Sequence, residues 1–119
     1  MLILLVEDEP LLRDMMQMIL EEAGHAVLAA EDGEIALDLL QEYDGRIEAL
    51  VTDIKLPRGP NGWEIARRAR TRSSGMHVIY MTGESEHEWG IHGVPRGRML
   101  QKPFSPPRVV SELADFVAL

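Results

Sequence analysis

The sequence contains no cysteine, and this absence excludes several kinds of structure and chemistry. Disulfide bonds, thiolate zinc sites and thiol nucleophiles all require cysteine, so the chain uses none of them. A protein without disulfides also fits a reducing compartment, and we expect it in the cytoplasm.

Long apolar runs are also missing. The opening run ends at Val6 and is followed at once by Glu7, Asp8 and Glu9, without a basic leader or a cleavage pattern. This run is too short to cross a membrane and does not resemble a signal peptide, so it is predicted to be a buried strand.

Positive charge is scarce. Lys and Arg number 12 against 20 Asp and Glu, which gives a net charge of −8. This field repels nucleic acid and anionic membranes, so neither is an expected direct partner.

The length of 119 residues corresponds to one domain over residues 1–119, with no repeat or linker. We expect no output domain, since nothing follows Leu119 in this sequence.

Apolar runs alternate with helical patterns along the chain. The predicted strands cover residues 2–6, 25–30, 49–52, 78–81 and 98–101. Helices are expected from Pro10 to the stop at Gly24, after Asp32, after Asn61 with Glu64 as capping residues, and after Ser105. Alternating β/α units predict an α/β protein with a doubly wound, flavodoxin-like parallel sheet and helices on both faces. The order 2-1-3-4-5 is taken by analogy with proteins of that fold.

Four of the five predicted strands end in residues that can act together. These residues are Glu7 and Asp8, Asp53, Thr82, and Lys102. The carboxyl ends of parallel strands meet at one edge of the sheet, so we expect these groups to share a pocket. Crowded carboxylates need a counter-charge, and Mg²⁺ is a hard cation that prefers oxygen ligands. The pattern favours Asp53 as a phosphoryl acceptor.

With these residues, the sequence resembles the receiver domain (CheY-like) of two-component response regulators along its whole length. The family pattern has an acidic pair, a phospho-acceptor Asp, a Thr or Ser, and a Lys-Pro pair after strands 1, 3, 4 and 5. Here these are Glu7-Asp8, Asp53 with Pro57 four residues later, Thr82-Gly83, and Lys102-Pro103-Phe104.

The resemblance implies a phosphorelay function, in which a sensor histidine kinase or a histidine phosphotransfer protein donates a phosphoryl group to Asp53. Asp8, Asp53 and the Lys55 carbonyl would hold Mg²⁺, with Glu7 acting through water. Lys102 and Thr82 would bind the phosphoryl group, and the Lys102–Pro103 bond would be cis. The domain would then switch partner binding, possess no enzymatic activity beyond its own phosphorylation and dephosphorylation, and form a phosphorylation-dependent dimer.

Several features depart from the family pattern. Met99 stands where many receivers carry an aromatic switch residue, and the Thr82–Lys102 interval is about two residues short. Gly90, Gly93 and Pro95 predict a short or irregular helix before the fifth strand, which puts the common dimer mode in doubt. These features are similar to those of stand-alone receivers and of receivers fused to sensor kinases.

Two other classes of function compete with this interpretation. A haloacid-dehalogenase-like phosphatase also uses an aspartyl phosphate, but it requires a second Asp where this chain has Lys55, and it requires a cap domain. A nucleotide or flavin binder on the same fold needs a glycine-rich phosphate loop after the first strand, where Glu7 to Glu9 stand instead.

Three local patterns have simpler interpretations. The run Arg67, Arg68, Arg70 and Arg72 indicates a solvated helix face rather than a nucleic-acid site. His87 and His92, with Glu86 and Glu88 nearby, are spaced too far apart for a zinc pair on one helix face. Trp63 is expected in the core, whereas Trp89 fits either the core or a partner contact.

Overall fold

The computed structural model describes residues 1–83 and 92–118. Its strands are β1 (Leu2–Val6), β2 (Ala26–Ala30), β3 (Ala49–Asp53), β4 (His77–Thr82) and β5 (Arg98–Gln101). The helices with described bounds are α1 (Pro10–Glu22), α2 (Gly33–Glu42), α3 (Gly62–Arg72) and α4 (Pro107–Ala118).

The five strands form one parallel sheet in the order β2-β1-β3-β4-β5, which confirms the predicted topology. Val6 pairs with Thr52, Asp53 with Met81, and Thr82 with Gln101, so β1, β3, β4 and β5 end at the same edge. Helices cover both faces: α2 and α3 pack on one apolar core, while α1 and α4 pack on the other. The central strands are buried on both faces and carry nearly continuous apolar sequence for that reason.

Local capping explains where two helices begin. The Asp32 carboxylate accepts a hydrogen bond from the Ile35 N–H, and the Asn61 side chain accepts one from the Glu64 N–H. Each side chain satisfies an amide that has no partner within its helix. Asn61 is thus a cap as predicted, whereas the Glu64 carboxylate pairs with Arg67 and Arg68 on the helix surface.

Part of the apolar surface of α1 faces solvent, since Met16 and Leu20 are buried whereas Leu11, Met15 and Met18 are exposed. The last helix begins at Pro107, two residues beyond the predicted cap Ser105.

In the arginine run of α3, Arg67, Arg68 and Arg72 are exposed as predicted, whereas Arg70 is half-buried. Trp63 is buried, which confirms its place in the core. The predictions for Glu86, His87, Glu88, Trp89 and Gly90 lie outside the described residues. None of the helices within the described ranges is long and apolar enough to cross a membrane.

Candidate functional site

The carboxyl edge of the sheet carries a cavity of about 290 Å³. Its lining combines strand ends with the loops that follow them: Asp8, Asp53, Ile54, Lys55, Met81, Thr82, Gly83 and Lys102. Four of the five side chains predicted to share a pocket therefore line it, and the fifth, Glu7, lies beneath the cavity in contact with Lys102. The topology brings them together, because they lie at the carboxyl ends of four neighbouring parallel strands.

Lys102 bridges two carboxylates at the centre of the site. Its Nζ lies 2.8 Å from Asp53 Oδ1 and 2.9 Å from Glu7 Oε1. Glu7 is completely buried and Asp53 is 5% exposed, so water contributes little to solvating their charge. Glu7 Oε2 also accepts a hydrogen bond from the Glu9 N–H, which leaves both of its oxygens with partners.

The site does not neutralise all of its negative charge. Burial and the adjacent Glu7 carboxylate raise the pKa of Asp53 to about 8, against the opposing effect of Lys102. Burial alone would raise the pKa of Glu7, but hydrogen bonds with Asp53, the Glu9 amide and Lys102 lower it instead. The shared ammonium group of Lys102 therefore favours the ionised form of Glu7 over that of Asp53.

Oxygen donors at the site fit a hard divalent cation. Carboxylate oxygens of Glu7, Asp8 and Asp53 lie within 4.8 Å of one another, and Asp8 is exposed to the cavity. Carboxylates, a nearby backbone carbonyl and water are the ligands that Mg²⁺ takes in proteins. A second positive charge would also favour the ionised form of Asp53.

The loop after Asp53 is held close to the site. Gly62 N–H donates to the Ile54 carbonyl over 2.8 Å, and a Cβ on Gly62 would lie 2.1 Å from the Asp53 carbonyl oxygen. Pro57 lies in this loop and is exposed, as are Lys55 and Arg58. Only glycine permits so close an approach of the helix start to the strand end.

The loop after β5 is held by the end of β4. The Lys102 N–H donates to the Thr82 carbonyl over 2.6 Å, and the Lys102–Pro103 bond is cis, as the resemblance implies. Thr82 is buried at the same cavity.

Met99, in place of the switch aromatic, is half-buried against the core on the α2–α3 side. The residue beside it on the neighbouring strand is aromatic. Tyr80 pairs with Met99 in the sheet, is fully buried, and packs its ring 4.7 Å from that of Trp63. These contacts of Tyr80 were not predicted, because Tyr80 stands in an apolar strand like any other core residue.

The fold and the site define a receiver of the two-component type. Residues 3–114 match the response regulator receiver domain, and the chain belongs to that family. Proteins of the family accept phosphoryl groups in two-component signalling, and this chain is such a receiver domain. The comparisons give no support to the phosphatase alternative.

Individual relatives agree with this assignment. The chain is 36% identical over 106 residues to the aerobic respiration control protein ArcA of Escherichia coli K12, a match that covers 87% of this chain and 43% of ArcA. A crystal structure of a response regulator receiver protein from Sinorhizobium medicae superposes with a TM-score of 0.92 at 32% identity, covering 98% of this chain and 94% of the other. The chain spans about half the length of the curated relatives that it matches.

A third relative was crystallised with a ligand. The response regulator TrrA of Thermotoga maritima, in complex with Mg²⁺-BeF, superposes with a TM-score of 0.79 at 26% identity, covering 97% of each chain. Receiver domains bind Mg²⁺ at an acidic pocket, and the acidic cluster here is of that kind.

Proposed function

We propose that Asp53 is the phosphoryl acceptor and that its donor is the phosphohistidine of a sensor histidine kinase or a histidine phosphotransfer protein. The observation that carries this proposal is the contact of 2.8 Å between Asp53 Oδ1 and Lys102 Nζ at the base of an open cavity. A buried carboxylate beside a fixed ammonium, with room for a phosphoryl group in front of it, suits a nucleophile in phosphoryl transfer.

The transfer replaces one bond to phosphorus with another. An oxygen of the ionised Asp53 carboxylate forms a bond to phosphorus, the bond from phosphorus to the donor's imidazole nitrogen breaks, and the bond's electron pair leaves with the imidazole. Lys102 donates to a phosphoryl oxygen as that group arrives, and the Thr82 hydroxyl donates to another. Movement of Thr82 toward the phosphoryl group would then signal the change to a partner protein.

The metal ligands belong to the same proposal. Asp8, Asp53 and the Lys55 carbonyl would hold Mg²⁺ directly, and Glu7 would act through water, because Glu7 is buried behind Lys102. When bound, Mg²⁺ supplies positive charge that offsets the carboxylates and the charge of the phosphoryl group. Lys55 lines the cavity beside Asp53, which is the position that this role requires.

The surface beside Asp8 borders this cavity and is exposed to a protein donor. Helix α1 begins two residues after Asp8 and exposes Leu11, Met15 and Met18, with Leu11 68% exposed. Exposed apolar side chains in a row are typical of a protein contact. We therefore place the donor on this face.

We also propose that the domain acts in the cytoplasm. Its only catalysis would be its own phosphorylation and dephosphorylation.

A small phosphodonor tests the acceptor without a known kinase. Incubation with acetyl phosphate and Mg²⁺ should add the mass of one phosphoryl group to the intact chain, and Asp53→Asn should abolish the addition. Asp38→Asn removes the same charge from the exposed surface of α2 and should leave it unchanged. Phosphorylation that persists in Asp53→Asn would rule out this acceptor.

A further inference from the structure

A second cavity lies at the opposite edge of the sheet from Asp53. It has a volume of about 270 Å³ and is lined by Arg70, Gly75, Met76, His77, Arg96 and Phe116. His77 begins β4 and Thr82 ends it, so the length of this strand, about 16 Å, separates this cavity from the phosphoryl site. A ligand here would not touch any residue of the proposed phosphorylation site.

Two arginines form the polar wall of this cavity. Arg70 donates from Nε to the Met76 carbonyl over 2.7 Å and from Nη1 to the Pro95 carbonyl, while Arg96 donates from Nη2 to the Ser74 carbonyl over 3.1 Å. Backbone carbonyls thus hold both guanidinium groups and leave further N–H donors on each, since a guanidinium carries five.

The charge of these two arginines is not balanced within the described part of the chain. Arg67, Arg68 and Arg72 of the same helix each pair with a carboxylate, but no described ion pair involves Arg70 or Arg96. None of the residues that line the cavity is acidic. Burial, together with the nearby charge of Arg96, lowers the pKa of Arg70, so the two cations are close enough to repel each other.

The backbone of Arg96 is in an uncommon conformation. Its φ of 61° lies in the left-handed region, which residues with a Cβ rarely adopt. A strained conformation that brings a second cation toward a first lowers stability, and such costs are typical of binding sites. The backbone strain at Arg96 is thus a third feature of this site, besides the cavity and the unbalanced positive charge.

The other wall of the cavity is apolar. Phe116 packs edge-on against the His77 ring, with 4.9 Å between the ring centroids, and the Arg98 guanidinium lies 4.5 Å from the centroid of the Phe116 ring. Arg98 in turn pairs with Glu112 and Asp115, so the ring is held from two sides. Met76 is buried and lines the same cavity.

We propose that this cavity binds a small aromatic carboxylate, whose carboxylate pairs with Arg70 and Arg96 and whose ring packs against Phe116 and Met76. Guanidinium groups match the planar geometry of a carboxylate, and the apolar wall favours a ring over a hydrated inorganic anion. The volume is just below the usual lower limit for ligand pockets, about 300 Å³, so a single ring fits better than a larger ligand.

Titration of the full chain with benzoate, followed by the backbone and arginine side-chain N–H signals in NMR spectra, tests this proposal. We expect saturable shifts at Gly75, Met76 and His77 with millimolar affinity, as befits so small a ligand. Benzamide, which has the same shape without the charge, and inorganic phosphate, which has charge without a ring, should each bind at least about tenfold more weakly.

Variants assign the site. Arg96→Gly removes the guanidinium and also suits the positive φ, so the fold is retained; it should weaken benzoate binding about tenfold or more. Arg68→Gln removes one positive charge from the outer face of α3 and should not change it. Asp53→Asn should also leave it unchanged, which separates this test from that of the phosphoryl acceptor. No saturable shift with benzoate, equal binding of phosphate, or an unaltered affinity in Arg96→Gly would each overturn the proposal.

Discussion

The hydroxyl group of Tyr80 accepts a hydrogen bond of 2.9 Å from the backbone N–H of Val94. Tyr80 is fully buried in β4, and Val94 is buried in the segment that leads to β5. The bond therefore fixes that segment to the sheet close to Thr82. Burial raises the pKa of the Tyr80 hydroxyl, which keeps it neutral at physiological pH.

We expect Tyr80→Phe to lower the free energy of unfolding by about 1–3 kcal/mol, because the buried Val94 amide loses its acceptor. Urea denaturation followed by circular dichroism measures this change. Tyr43→Phe removes the same hydroxyl from a half-buried residue of the α2 end and should change stability by less than about 0.5 kcal/mol. Equal effects of the two substitutions would mean that the Val94 bond contributes nothing.

The raised pKa of Asp53 predicts a pH dependence of stability in metal-free buffer. The pKa is about 8 in the folded chain against 3.8 for a free side chain, so the folded state binds the proton more tightly. The stability that this proton contributes is complete below about pH 3.8 and is lost as the pH rises toward 8. Between pH 5 and 8 the wild type should therefore lose at least about 1 kcal/mol relative to Asp53→Asn.

The comparison with Asp53→Asn cancels the titration of groups that do not contact Asp53. Urea unfolding at several pH values in the presence of EDTA gives both curves, and excess Mg²⁺ should reduce the difference between them because it favours the ionised carboxylate. If the stabilities of the two proteins changed in parallel with pH in the absence of metal, burial would not raise the pKa of Asp53 in the folded protein.

Asp8 is the exposed member of the acidic cluster, and its removal tests the proposed metal ligands. Asp8→Ala should weaken Mg²⁺ binding about tenfold or more, as measured by calorimetry. Loss of a direct ligand should lower the affinity at least as much as loss of a residue that only supports a ligand. Asp14→Ala removes an exposed carboxylate from α1 and should have little effect. Unchanged affinity in Asp8→Ala would exclude Asp8 as a ligand.

The loop after Asp53 depends on Gly59, which has a φ of 74°. A Cβ at this position would lie 2.5 Å from the Glu34 backbone nitrogen, so Gly59→Ala combines backbone strain with a clash against α2. Gly45 has a φ of 79° but open space around it, so Gly45→Ala isolates the strain. We expect Gly45→Ala to cost about 1–2 kcal/mol. Gly59→Ala should cost about 1–3 kcal/mol more, as measured by urea denaturation.

Similar losses of stability in the two variants would show that a Cβ at Gly59 does not clash with α2. A larger loss in Gly59→Ala, together with weaker Mg²⁺ binding, would show that the start of α2 supports the geometry of the acceptor loop. This link is visible in the structure, where the Gly33 N–H donates to the Arg58 carbonyl over 2.8 Å.

The strand ends could be predicted from the sequence because each is marked locally. Asp53 follows an apolar run, and Lys102 precedes a proline, so the hydrophobic pattern and the structure-breaking residues suffice to place them at strand ends. The assembly of these ends into one site then follows from the handedness of parallel connections.

Contacts between distant segments could not be predicted in this way. Glu7 and Lys102 were expected in one pocket, but their direct ion pair was not predicted, and the Tyr80–Val94 bond links a strand to an irregular segment. Arg70 shows the same limit, since helical spacing placed it with three exposed arginines while tertiary packing turned it toward β4. Neither hydrophobic periodicity nor a short motif predicts which backbone carbonyl will accept a hydrogen bond from a long side chain.

Residues 77–81 of strand β4 pair with β3, and residues 79–82 pair with β5. A shift of one residue would turn every buried side chain of β4 to the other face, so a sliding motion of this strand is prohibitively costly. A phosphoryl group on Asp53 would therefore act on an essentially fixed scaffold, and the two signalling states would differ in side-chain rotamers and loops alone. To invert such an equilibrium from 1:99 to 99:1, the contacts of a single phosphoryl group with these side chains and loops would have to supply about 5.5 kcal/mol.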